Sequence, residues 1–222
     1  GALRDAVAEA ARAPRCAALL FEGEGAHFSF GASVEEHRRR DAPRMLAAFH
    51  ALFRDLIEYG LTLFAAVRGQ CLGGGLELAA FCHRVFASPD AKLGNPEIRL
   101  GVFAPVASLV LPVRVGQPAA DDLLLSGRVI GAEDALRIRL VDEIADDPAA
   151  AALAWRRAAV GAHSASSLRF AARAARHDFH ARFLSGLGAL EPLYLRELMA
   201  TLDAPEGIAA FLEKRSPTWK HA

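Results

Sequence analysis

Apolar and polar positions alternate along this chain in two rhythms. Short, nearly continuous apolar runs at Cys16 to Phe21, Leu61 to Val67, Val85 to Ala87 and Lys92 to Gly94 have the length and composition of buried strands. Between them apolar residues recur every third or fourth position. Met45, Phe49, Leu52, Phe53 and Leu56 mark an amphipathic helix opened by Pro43. Leu3, Val7 and Ala10 predict another over Gly1 to Ala13, and Leu76 to Phe81 a short one. Val106 to Val113 and Ala119 to Leu125 read as helices bounded by prolines. From Pro148 the pattern is almost wholly helical: Ala152 to Val160, Ser166 to Arg176, Phe179 to Leu202 and Glu206 to Glu213. Strands separated by helices predict an α/β fold with crossover connections over residues 1–145, followed by a helical region over 146–222.

Composition changes this picture little. In 222 residues, 53% hydrophobic content with mean hydropathy +0.19 suits a well-buried core. Acidic and basic residues balance at 26 each, which gives no electrostatic footprint for nucleic acid or an anionic membrane. The densest basic run, Arg38 to Arg40, is flanked by Glu35, Glu36 and Asp41 and reads as a solvated helix end or loop, although its arginines could meet an anionic ligand. No apolar run approaches the roughly 20 residues of a membrane span. Cys16, Cys71 and Cys82 are odd in number and lack metal-type spacing, so small buried residues in a reducing cytoplasm are expected.

The candidate chemistry lies between Arg68 and Gly101. Gly73, Gly74 and Gly75 follow a strand and precede a helix, a loop where backbone can approach a ligand and free amides can hold negative charge. The same cluster could be a structural turn. No Lys-Ser/Thr follows it, which argues against a triphosphate loop, and the G-x-G-x-x-G spacing is missing. Glu77 and Glu97 flank the cluster; by spacing alone each could equally be a solvent-exposed residue. His177 and His180 have no third metal ligand at zincin spacing and read as a surface pair, and no G-x-S-x-G supports a serine nucleophile.

At these residues the chain resembles the enoyl-CoA hydratase/isomerase (crotonase) superfamily. His27-Phe28-Ser29-Phe30-Gly31-Ala32 is similar to the family's F-x-x-G-A-D segment, and Gly73-Gly74-Gly75-Leu76-Glu77-Leu78 to its G-G-G-x-E-L segment. Leu93 to Gly101 resembles F-x-x-P-E-x-x-L-G, and Ser126 to Ile144 the S-G-x-x-x-x-A-x-x-A-x-x-x-G-L-V-x-x-V segment. Pro205 to Trp219 resembles the C-terminal E-G-x-x-A-F-x-E-K-R-x-P-x-W. The resemblance covers almost the whole chain. It implies a spiral of ββα turns followed by helices that cover the active site or a neighbouring subunit. The hairpin that usually precedes the first helix in the family is not seen in residues 1–222.

The resemblance also implies chemistry: water added across a double bond conjugated to a coenzyme A thioester. The Ala32 and Gly74 amides would stabilise the enolate oxygen, Glu77 would bind and deprotonate water, and Glu97 would donate a proton to the α-carbon. Holding both glutamates favours hydration over isomerisation. An isomerase or other enolate enzyme of the same scaffold is the alternative, and a non-catalytic RNA- or CoA-binding protein a third. No metal and no cofactor beyond the substrate's coenzyme A is expected. Self-association to trimers, or dimers of trimers, is implied, with Phe183, Leu187, Leu190, Leu193, Leu195 and Leu198 as apolar surface.

The chain also departs from the family pattern. Ser33 replaces an aspartate, Arg139 a glycine, and Phe103-Ala104-Pro105-Val106-Ala107-Ser108 replaces I/V-P-G-x-G-G. The last change places rigid bulk at Phe103, Pro105 and Val106 beside an acyl pocket that would also include Phe30, Ser33 and Gly73. Gly101 to Ser108 resembles the branch of hydratases acting on alicyclic dienoyl-CoA thioesters, such as cyclohexa-1,5-diene-1-carbonyl-CoA, in anaerobic aromatic degradation.

Overall fold

The computed structural model describes residues 2–222, so Gly1, where the first expected helix was to begin, lies outside the described residues. The elements in order are α1 (Ala2–Arg12), β1 (Ala18–Glu22), α2 (Ala42–Tyr59), β2 (Thr62–Val67), β3 (Gln70–Leu72), α3 (Gly74–Phe81), β4 (Arg84–Ala87) and β5 (Lys92–Gly94). There follow α4 (Pro105–Val115), α5 (Gln117–Ser126), β6 (Val129–Gly131), α6 (Ala132–Arg137), β7 (Glu143–Ile144), α7 (Pro148–Val160), α8 (Ala165–Ala175), α9 (His177–Pro192) and α10 (Asp203–Leu212).

Strands β1, β2, β4 and β7 form a parallel sheet in that order, with Leu20 opposite Phe64 and Phe64 opposite Arg84. A second sheet orders β3, β5 and β6, the first pair parallel and the second antiparallel. Consecutive strands β2 and β3, then β4 and β5, therefore split between the two sheets before the chain turns into helix, which is the ββα spiral of the expected α/β class. Burial on both sides explains why β2 reads as an uninterrupted apolar run.

Helix α2 begins with Pro43 in its first turn and ends at Gly60, whose φ of 63° is the left-handed stop that glycine adopts without strain. Short α3 is buried on nearly every side, so its sequence shows little amphipathic rhythm. Phe53 of α2 meets Phe81 of α3 edge to face at 5.1 Å, and Phe183 of α9 closes the same cluster.

The structure corrects several expectations. Instead of one helix over Phe179 to Leu202, α9 ends at Pro192, a π-helical turn covers Leu193–Glu197 and a 3-10 turn covers Leu198–Ala200. Pro192 has no amide to continue the ladder, which accounts for the break. Phe183 and Leu187 are core residues at 2% and 0% exposure, so they offer no surface for assembly. Nor do His177 and His180 form a surface pair, since the half-buried His180 ring stacks on Phe81. Among the described residues no helix is long and apolar enough to cross a membrane.

A smaller cluster, Ala42, Leu46, Val102, Tyr194, Met199, Ala204 and Ile208, joins the last third of the chain to the start of α2. The terminal segment folds back on α10. Arg215 pairs with Glu206 at 2.6 Å, the Thr218 amide donates to Glu206, and the Lys220 and His221 amides donate to Asp203. A methyl on Gly207 would stand 2.3 Å from the Leu100 carbonyl oxygen and 2.8 Å from the Trp219 ring, so glycine lets α10 lie close to both.

Candidate active site

Two tight approaches build the site. Gly73 follows β3 with φ 54° and caps α3; a β-carbon there would lie 2.9 Å from Glu97 Oε1. Glycine is therefore required twice, for the left-handed backbone and for the carboxyl beside it. Gly31, at φ 89°, lays the preceding loop on the start of α3, since a β-carbon on it would be 3.0 Å from the Gly74 nitrogen. The β-carbon position of Gly74 is in turn 3.7 Å from the Ala32 nitrogen. The Ala32 and Gly74 amides thus sit side by side, the latter in the first turn of α3, where helix N–H groups have no acceptor in the helix.

Glu77 lies one turn further along α3 and is 4% exposed. Its Oε1 accepts the Ala107 N–H at 2.8 Å, and the Val106 amide also favours the ionised form. Both donors belong to the first turn of α4, which begins at Pro105. The unusual Phe103 to Ser108 segment thus keeps a helix N-terminus aimed at a carboxylate. Glu97 follows Pro96 in a 3-10 turn over Pro96–Leu100 and is 9% exposed. Its Oε1 is 3.5 Å from the Asn95 side-chain amide, and its Oε2 has no hydrogen-bond partner among the described residues.

Burial first, and the Glu97 charge second, push the Glu77 carboxyl well above its usual range; the Ala107 and Val106 amides oppose this. Burial likewise raises Glu97, opposed by its own amide and Asn95. Two carboxyls in one dry space do not ionise together cheaply, so near neutrality the pair can supply one proton donor and one acceptor.

Both open on one cavity of about 780 Å³. Of the residues expected around the acyl group, Phe30, Ala32, Ser33, Gly73, Gly74, Phe103 and Pro105 line it. Val106 does not; its side chain is wholly buried in the main core, and only its amide bears on the site. Sequence reasoning missed Phe49, Tyr194, Phe211, Arg215 and Pro217 on the walls. The proline at 192 was the available signal for Tyr194, because it breaks the helix just before that residue. Among the described residues no cluster of three or more His, Cys, Asp or Glu could hold a metal ion.

Residues 2–222 match the family described as enoyl-CoA hydratase/isomerase. The chain is 54% identical over 220 residues to a Thauera aromatica protein named cyclohexa-1,5-dienecarbonyl-CoA hydratase, covering 99% of this chain and 85% of that one. It is 33% identical over 204 residues to the 2,3-dehydroadipyl-CoA hydratase of Escherichia coli, covering 90% and 80% respectively. An enoyl-CoA hydratase structure from Mycobacterium avium superposes with a TM-score of 0.86 at 28% identity, covering 99% of this chain and 85% of that one. The chain belongs to the enoyl-CoA hydratase/isomerase family, and its relatives make it an enzyme of the hydratase, hydro-lyase type.

Proposed function

We propose that this chain hydrates a cyclic conjugated dienoyl-CoA thioester, of which cyclohexa-1,5-diene-1-carbonyl-CoA is the model. The observation that carries the reading is the pairing of two buried carboxyls, Glu77 and Glu97, in one cavity with the adjacent amides of Ala32 and Gly74. The 54% identity to the Thauera protein supports the ring substrate, as does the aromatic and proline wall at Phe103 and Pro105.

The thioester oxygen binds at the Ala32 and Gly74 amides. Glu77, oriented by Ala107, takes a proton from water as the water oxygen bonds to the β-carbon. Electron density moves onto the thioester oxygen, where each preorganised donor contributes roughly 10²- to 10³-fold in rate. Glu97, in its protonated form, returns a proton to carbon: to the α-carbon of a simple enolate, or along the second double bond of a ring dienolate. The enzyme needs no group beyond the coenzyme A of its substrate. Self-association to a trimer, or a dimer of trimers, would cover the exposed Phe170, Leu202 and Phe211.

A panel of linear and cyclic enoyl-CoA thioesters, with products read by mass, tests the reading. A gain of water on the cyclic dienoyl thioester is expected. A shifted double bond without gain of mass would replace the hydratase with an isomerase.

A further inference from the structure

Tyr194 is among the largest fully buried side chains, at 1% exposure, yet its hydroxyl has no hydrogen-bond partner among the described residues. An unpaired buried hydroxyl costs about 1–3 kcal/mol, so its retention needs a reason. The ring belongs to the buried cluster that includes Ala42, Leu46, Val102 and Met199 and meets Phe103 edge to face at 5.3 Å. It also lines the cavity that holds Glu77 and Glu97. Burial foremost, then the charges of Glu97 and Glu77, push the phenol up, so it remains a neutral donor wherever the carboxyls titrate. The backbone that presents it is the π-helical turn Leu193–Glu197, a rare conformation concentrated at functional sites.

We propose that the Tyr194 hydroxyl is a substrate-contacting residue that donates a hydrogen bond to the oxygen being added: the attacking water in one direction, the acyl hydroxyl in the other. This rests on the hydratase reading. The phenol O–H stays intact throughout; Glu77 takes the proton of water and Glu97 supplies the proton to carbon. Tyr194 fixes where the oxygen stands relative to the acyl group, and the packed Phe103 edge keeps the phenol from turning away.

The test is Tyr194→Phe, which removes one oxygen and preserves the ring. In a Glu97→Gln background that stops turnover, calorimetry would compare 2-hydroxycyclohexanecarbonyl-CoA with cyclohexanecarbonyl-CoA. Adding Tyr194→Phe is expected to weaken the hydroxylated thioester about tenfold, the scale of one neutral hydrogen bond, and the other less than about twofold. In the active protein Tyr194→Phe should lower kcat about tenfold with KM for the dienoyl thioester nearly unchanged, while Tm stays level or rises. Equal weakening of both thioesters together with a fall in Tm would make Tyr194 structural and overturn the proposal. So would an undiminished preference for the hydroxylated ligand in the Phe variant. Failure of the unmodified protein to hydrate any thioester of the panel would instead remove the hydratase reading beneath it.

Discussion

Glu77 Oε1 accepts the Ala107 N–H at 2.8 Å, so the carboxyl of α3 is held by the first turn of α4. One oxygen is fixed while the carboxyl still faces the cavity it shares with Glu97. A glutamine at 77 can keep that amide contact through its own carbonyl but cannot take a proton. Glu77→Gln and Glu97→Gln are each predicted to lower kcat by about 10² or more with little change in coenzyme A thioester affinity. Steady-state hydration assays with ligand titration check this. Near-normal hydration by either variant would refute the two-carboxylate mechanism.

The same burial makes a stability prediction. Both carboxyls are raised in the folded chain, by burial first. A raised acid imposes no penalty below the ordinary carboxylate range, where both states are protonated, and costs stability as pH rises through its folded value. Glu77→Gln should therefore raise Tm relative to the unmodified chain at neutral and higher pH, with the gain vanishing below about pH 4. Thermal melts across pH read this directly, and a gain that is constant with pH would contradict the assigned protonation.

Gly73→Ala is predicted to cost about 1–3 kcal/mol through the left-handed backbone alone, since its φ is 54°. The added methyl would also press on Glu97 Oε1. Activity should fall further than Glu97→Gln alone explains, because Gly74, next in sequence, carries one of the two amides. A folded, fully active Gly73→Ala protein, by urea titration and assay, would show that this close approach is dispensable.

Phe103 and Pro105 give the pocket a rigid wall. The unmodified protein should turn over the cyclic dienoyl thioester with higher kcat/KM than crotonyl-CoA, and Phe103→Gly should narrow the gap by about 1–3 kcal/mol. Competition between the two thioesters gives the ratio. Preference for crotonyl-CoA by the unmodified protein would remove the ring assignment.

Phe170 is 68% exposed, Leu202 61% and Phe211 55%, apolar area that a second copy of the chain can cover. Light scattering at micromolar concentration is expected to give a trimer or hexamer mass. A stable monomer would count against self-association.

Much of this was legible in the sequence. Strand β2 and helix α2 announce themselves because burial on two faces gives a solid apolar run and burial on one gives a stripe. Glu77, Glu97 and the glycines stood out through their family resemblance, whereas the burial that raises both carboxyls and the α4 amides that hold Glu77 were invisible. Strands β3, β6 and β7 were missed: at three, three and two residues they exist through ladder pairing with distant partners and carry no local pattern. Tyr194 was missed for a related reason. Its position depends on how a broken helix re-enters the fold, and helical spacing assigned it only another place on a stripe. Arg139 shows the reverse case. It occupies φ 64° where the family has glycine, so the departure visible in sequence corresponds to a strained residue in the structure.

The cavity draws its proton-handling groups from one continuous stretch, 73–97, and part of its enclosing wall from Phe103, Phe211 and Pro217, the last two far along the chain. Reactivity and acyl fit are thereby carried by different parts of the chain. A change at Phe103, Phe211 or Pro217 can therefore alter which acyl group fits while Glu77 and Glu97 stay where the 73–97 stretch holds them.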